Sequence, residues 1–156
     1  MTSRADLRLW AVGQLTGGAD RTQNLEQAVS RVERAAALGC QLVALPEPMR
    51  THTIANMRDH LLALQEIDEA LAKGDFTAAS RIAEERIGMS SLKSHGAAHI
   101  ASFLPQPMQE IGTRMHRAAS RFAVEAQNAS VANDLRPALL AKSAVVRECV
   151  ACHAAY

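Results

Sequence analysis

Residues 133–156 read NDLRPALLAKSAVVRECVACHAAY. Pro137 is tolerated in a first helical turn, where its missing N–H has no intrahelical partner anyway. Beyond it Leu135, Leu139, Val145 or Val146, Cys149 and Cys152 recur at the spacing that lines one side of a helix. The stretch predicts a helix that carries two thiols on its inner side near its end. Three more segments upstream follow the same period. Ile54, Met57, Leu61, Leu64 and Leu71 form one stripe, closed by Gly74; Phe76, Ala79, Ala83 and Ile87 form a second, with Asp75 placed to cap it. After LPQP at 104–107, Met108, Ile111, Met115, Ala119 and Phe122 form a third. Residues 88–103 are less regular and either extend the second helix or make a separate short turn. Four amphipathic helices on short connections predict an up-down-up-down bundle.

The chain divides near Pro46 and Pro48, giving domains 1–48 and 49–156. Before that point LRLWAVGQL (7–15) and CQLVALP (40–46) have the apolar density of buried strands, separated by TGGAD and a helical run with Leu25, Ala28, Val29, Val32 and Ala36 on one side. Gly39 marks that helix's end. Strand, crossover helix and strand predict a βαβ unit with parallel strands. The fold class expected is therefore mainly α, a four-helix bundle with a short N-terminal βαβ appendage.

Composition narrows the partners. The formal charge is +1 over 156 residues with acids and bases interspersed, which gives no electrostatic footprint for nucleic acid. No run of 18 apolar residues predicts a membrane span. The N-terminus, MTSRADLRLWAVGQLTGG, is interrupted by Arg4, Asp6 and Arg8 and is not a secretory signal. If that start is genuine, the chain is expected in the cytoplasm.

Cys149-Val-Ala-Cys152-His153 has the C-x-x-C-H spacing of c-type haem attachment. Thiols three apart share a helix face, so each can form a thioether to one vinyl group of the same porphyrin. The next histidine then lies beneath the macrocycle and ligates iron. A thioredoxin-like redox pair belongs at a helix start after a strand, not at a helix end. A zinc site needs a further ligand that no second cysteine pair supplies. The plain alternative is two core cysteines beside an incidental histidine.

With these residues in place, 49–156 resembles cytochrome c-prime and the related four-helix cytochromes. Their attachment motif ends the fourth helix, with a basic residue shortly before it and an aromatic three residues after the histidine. Arg147 and Tyr156 stand in those places. The resemblance implies haem c as cofactor, one-electron transfer with a redox partner protein, a periplasmic location, and a homodimer through the first two helices as the assembly. Relatives have either a methionine or an apolar residue opposite the histidine. Met57 matches the first kind and would be the second axial ligand, with Met49 as its substitute and core packing as its plain role. Arg147 would pair with a haem propionate, or simply suit the helix C-terminus. His52 and His60 fall off the stripe and are expected in solvent. His95, His99 and His116 are expected at the surface or between helices.

Residues 7–47 resemble the N-terminal unit of the nitrilase, or carbon–nitrogen hydrolase, superfamily, in a glutamine near the end of the first strand, Asn24 at the helix start and the closing Leu-Pro-Glu. Glu47 matches the general base of that family's Glu-Lys-Cys triad. Cys40 opens the second strand and is not the nucleophile, and no later strand supplies one. Hydrolysis needs that nucleophile, so no enzymatic activity is expected. The expectation is a cytochrome; its rivals are a gas-binding haem module with an open sixth position, a haem-free helical interaction protein, and an amidase.

Overall fold

The computed structural model describes residues 20–37, 45 and 47–156. The chain divides into two compact units, Met1–Ala44 and Leu45–Tyr156. In the first, α1 spans Arg21–Ala37. Asp20 starts it by accepting from the backbone N–H groups of Thr22 and Gln23 at 2.9 and 3.2 Å. Leu25 and Val29, expected on its inner side, are exposed within the described structure. The strands expected over 7–15 and 40–46 and the position of Cys40 lie outside the described residues, except Leu45, which is not in a strand.

The second unit is helical throughout its described residues: α2 (Glu47–Ala72), α3 (Phe76–Arg86), a 3-10 turn (Met89–Leu92), α4 (Ala97–Ala101), α5 (Gln106–Ala132) and α6 (Arg136–Ala155). The expected punctuation is present. Gly74 takes φ +73° beyond α2, where a side chain would be strained. Asp75 caps α3 through the N–H of Ala78 at 2.9 Å. Asn133, at φ 51°, makes the left-handed turn between α5 and α6, a conformation asparagine tolerates better than most residues. Residues 88–103 neither extend α3 nor form one turn; they make the 3-10 turn and α4.

The close packings are α2 on α3, α3 on α5 and α5 on α6. Arg86 near the end of α3 reaches Asp59 and Glu66 of α2. The Ile87 carbonyl, just beyond α3, meets His116 of α5. Arg114 early in α5 meets Glu148 late in α6. These pairs make each helix antiparallel to the one it packs on, so α6 also runs antiparallel to α2.

Alanines fill the seams. Ala63, Ala79, Ala83, Ala119, Ala126 and Ala138 are at most 1% exposed, with Phe122, Ile67 and Ile87 as the large side chains among them. This corrects the stripe expected for the first long helix. Ile54, Met57 and Leu61 are exposed, while His60, Ala63, Ile67, Ala70 and Leu71 face inward. Small residues let backbones approach closely, so the α2 seam forms where its alanines are and turns the larger apolar side chains outward. In α6 likewise, Ala138 and Val145 are buried while Leu139 and Val146 are exposed.

Among the described residues Phe122 is the largest fully buried side chain. Phe122→Ala should cost about 3–5 kcal/mol, read from chemical denaturation. Gly88 offers a second check: a Cβ there would stand 2.8 Å from the Glu84 Cα. Gly88→Ala should therefore destabilise by about 1–3 kcal/mol with no change in helix content at low denaturant.

Candidate functional site

The tail is ordered helix. α6 continues to Ala155, and the Tyr156 N–H donates to the Cys152 carbonyl at 2.9 Å. Cys149 and Cys152 are free and half-buried, and Cys149 packs against the hydrophobic core. Burial pushes both thiols up, and the neighbouring Cys152 adds to the rise at Cys149. His153 and Arg147 are exposed. Glu148 anchors this turn to α5 by accepting from Arg114 Nε at 3.0 Å.

The orientation of the tail follows from one ion pair. Lys142 Nζ of α6 donates to Asp68 of α2 at 2.7 Å, which fixes the face of each helix that looks at the other. His153 lies eleven residues after Lys142, and Met57 eleven residues before Asp68. Eleven residues are about three turns, or roughly 16 Å, and return a side chain to nearly the same face. In antiparallel helices the two displacements run the same way. On ideal helices this brings Met57 and His153 to about the same level of α2 and α6, each about 20° from the face of the ion pair, and Cys149 falls on the His153 side of α6.

Around this level the facing sides carry exposed apolar side chains: Ile54 (38% exposed), Met57 (42%) and Leu61 (70%) on α2, and Val146 (38%) and Val150 (60%) on α6. α2 and α6 do not form one of the close backbone packings. Met49 is half-buried one turn into α2. Glu47, expected at a strand end, is instead the first residue of α2, where an acid suits the helix dipole. Its carboxylate accepts from Thr51 Oγ1 at 3.1 Å and pairs with Arg50, so its neighbours are helical surface residues.

Among the histidines His60 departs from its expected exposure, whereas His52, at the surface, and His95, His99 and His116, at the surface or between helices, match theirs. His52 and His99 are exposed, but His60 and His116 are buried and His95 half-buried. Three of these rings gather, with centroid separations of 4.8 Å (His60–His95), 5.5 Å (His95–His116) and 6.0 Å (His60–His116). Burial, then the other two imidazoles, lower His60 to about 4. Burial lowers His95 and His116 as well, in His116 against hydrogen bonds to the Ile87 and Gly88 backbone. The sequence signal existed: His60 lies three and seven residues before Ala63 and Ile67. It is hidden when stripes are chosen by side-chain size. Among the described residues no three His, Cys, Asp or Glu side chains are arranged to hold a metal ion.

Comparison with known protein families, characterised proteins and solved structures gave no match.

The raised thiols generate a direct test. In the folded, haem-free chain, iodoacetamide at pH 7.5 should alkylate Cys149 and Cys152 at least about tenfold more slowly than in urea, since only the thiolate reacts. Peptide-level mass spectrometry separates them from Cys40, and equal rates in the two conditions would contradict the burial described.

Proposed function

We propose that the chain is a c-type cytochrome of the four-helix class, with α2, α3, α5 and α6 as an up-down-up-down bundle and one haem held between α2 and α6. The observation that carries this is the shared level of His153 and Met57 on facing sides of the two helices, amid apolar side chains left exposed on both. The residues present fit the group. Cys149 and Cys152 are free thiols three apart, suited to two thioether links. His153 presents an exposed imidazole next to them, and Ile54, Leu61, Val146 and Val150 offer apolar contact to a macrocycle. When bound, the haem supplies a reversible one-electron couple. The chain's part is to hold it, to tune it through the axial pair His153 and Met57, and to shield it. Arg147, exposed two residues before Cys149, would pair with a haem propionate. A periplasmic location, a redox partner protein and a homodimer belong to the same reading. Glu47, in helix rather than at a strand end, has no catalytic part in it.

The intact mass of protein from an export-competent, haem-attaching host tests the cofactor: one haem added to the polypeptide is expected, and the bare mass would refute the cytochrome. The reduced protein should show a sharp low-spin α band. Met57→Ala should weaken that band and open the iron to carbon monoxide. If the unaltered protein already binds carbon monoxide rapidly, Met57 is not a ligand and the iron has an open face.

A further inference from the structure

The imidazole cluster lies outside the proposed haem site and has its own logic. It sits where three pieces of chain meet: α2 supplies His60, α5 supplies His116, and the connection after α3 supplies His95. That connection is clasped along one stripe of α2. His52 Nε2 stands 3.6 Å from the position of a Cβ on Gly96, Asn56 Nδ2 donates to the His95 carbonyl at 3.3 Å, and His60 meets the His95 ring. Residues 52, 56 and 60 are successive turns of one helix face.

The hydrogen bonds assign the protons. His116 Nδ1 lies 2.5 Å from the Ile87 carbonyl; a carbonyl only accepts, so Nδ1 carries the hydrogen and Nε2 of the neutral ring keeps a lone pair. Ser91 Oγ gives its proton to the Gly88 carbonyl at 2.7 Å, so at 3.3 Å it accepts from His95 Nδ1. His60 Nε2, buried in a residue 6% exposed, has no hydrogen-bond partner. These bonds place a hydrogen on Nδ1 of His95 and of His116; it is burial that disfavours the charged form of each ring, and at His60 a buried nitrogen stands ready for a proton with no carboxylate bonded to it. The charges nearest the cluster are already committed. Asp59 of α2 accepts from Arg86 of α3 through Nε at 3.1 Å, and Arg86 also pairs with Glu66. The remaining titratable neighbour, His52, is another base.

We propose that His60, His95 and His116 form a proton-operated latch that fastens the connection between α3 and α5 to α2 and α5. Neutral rings close it. Protons taken from solvent put like charges on rings about 5 Å apart, and the connection leaves its seat so that the imidazolium groups reach water. The sign follows from the same geometry. Burial lowers all three groups in the closed state, and neighbouring imidazoles add to this at His60 and His95 against the opposing charge of Asp59, so the released state binds protons more tightly. The latch is thus closed above the ordinary histidine value near 6.5 and opens as pH falls from there towards about 4.

Amide hydrogen exchange, corrected for intrinsic rates, together with imidazole titration by NMR, tests this on the full chain between pH 7 and pH 4.5. The expected result is a loss of protection of at least about tenfold over residues 89–101, while core amides such as Ala126 and Val145 keep theirs. His95→Lys, which places a permanent charge in the cluster, should show that released pattern already at pH 7. His95→Gln should weaken the pH response of 89–101 and raise the His60 midpoint; it serves as the test if His95→Lys does not fold. Unchanged protection at pH 4.5, loss only in one global unfolding step, a His95→Lys protein as protected as the parent, or an unaltered pH response in His95→Gln would each overturn the latch.

Discussion

Close approach of helices through alanine is the constraint from which the rest follows. Alanine buries without side-chain entropy and lets backbones come near. In the second unit the seams between α2, α3, α5 and α6 are set by Ala63, Ala79, Ala83, Ala119 and Ala126, all at most 1% exposed. Once those seams close, the rotation of each helix is no longer free. On α2 it brings His60 in with Ala63 and Ile67 and turns Ile54, Met57 and Leu61 out. On α6 it buries Ala138 and Val145, half-buries Cys149 against the core and leaves His153 exposed. The exposed apolar side chains and the buried imidazoles are two results of one packing choice.

This also explains what the sequence disclosed. Helix ends were legible because their signals are local: Asp75 caps, Gly74 turns, and Pro137 sits in a first turn, all irrespective of tertiary context. The stripes of α3 and α5 were legible too, since there alanine and the large residues share a face, as with Ala119 and Phe122. The stripe of α2 departs from expectation in its first half, where Ile54, Met57 and Leu61 turn outward while His60 and Ala63 turn in, and hydropathy weights the large residues. The histidine cluster was illegible for another reason. It joins residues 35 and 21 positions apart in the chain, and which imidazoles meet depends on the path of residues 88–96. At the tail the spacing of Cys149, Cys152 and His153 was legible outright, whereas their common level with Met57 needed the Lys142–Asp68 pair.

That ion pair is a register mark more than a source of stability. Lys142 is 19% exposed and Asp68 56%, and a half-exposed pair contributes little net free energy. Its worth is geometric, because it ties α2 to α6 at a point where no close backbone packing does so. From there towards Met57 and His153 the exposed side chains of the two helices include Ile54, Leu61 and Val146. Apolar contact is non-directional, so that end can separate or close around a flat apolar group without breaking a hydrogen bond.

The two sites are not independent. The second half of α2 is fixed by its alanine seam. The interhelical polar contacts of its first half run to α3's end and the following connection: Asp59 to Arg86, Asn56 to the His95 carbonyl, and His60 to the His95 ring. Met57 stands in the middle of that group, on the adjacent face. Whatever loosens the connection therefore loosens the part of α2 that positions Met57. A latch that opens in acid would release the Met57 side of the proposed axial pair while leaving His153, anchored through α6, Glu148 and Arg114, in place. The asymmetry is built into the chain: His153 follows the thiols on a helix packed along its length, and Met57 rides on a half-helix held by imidazoles.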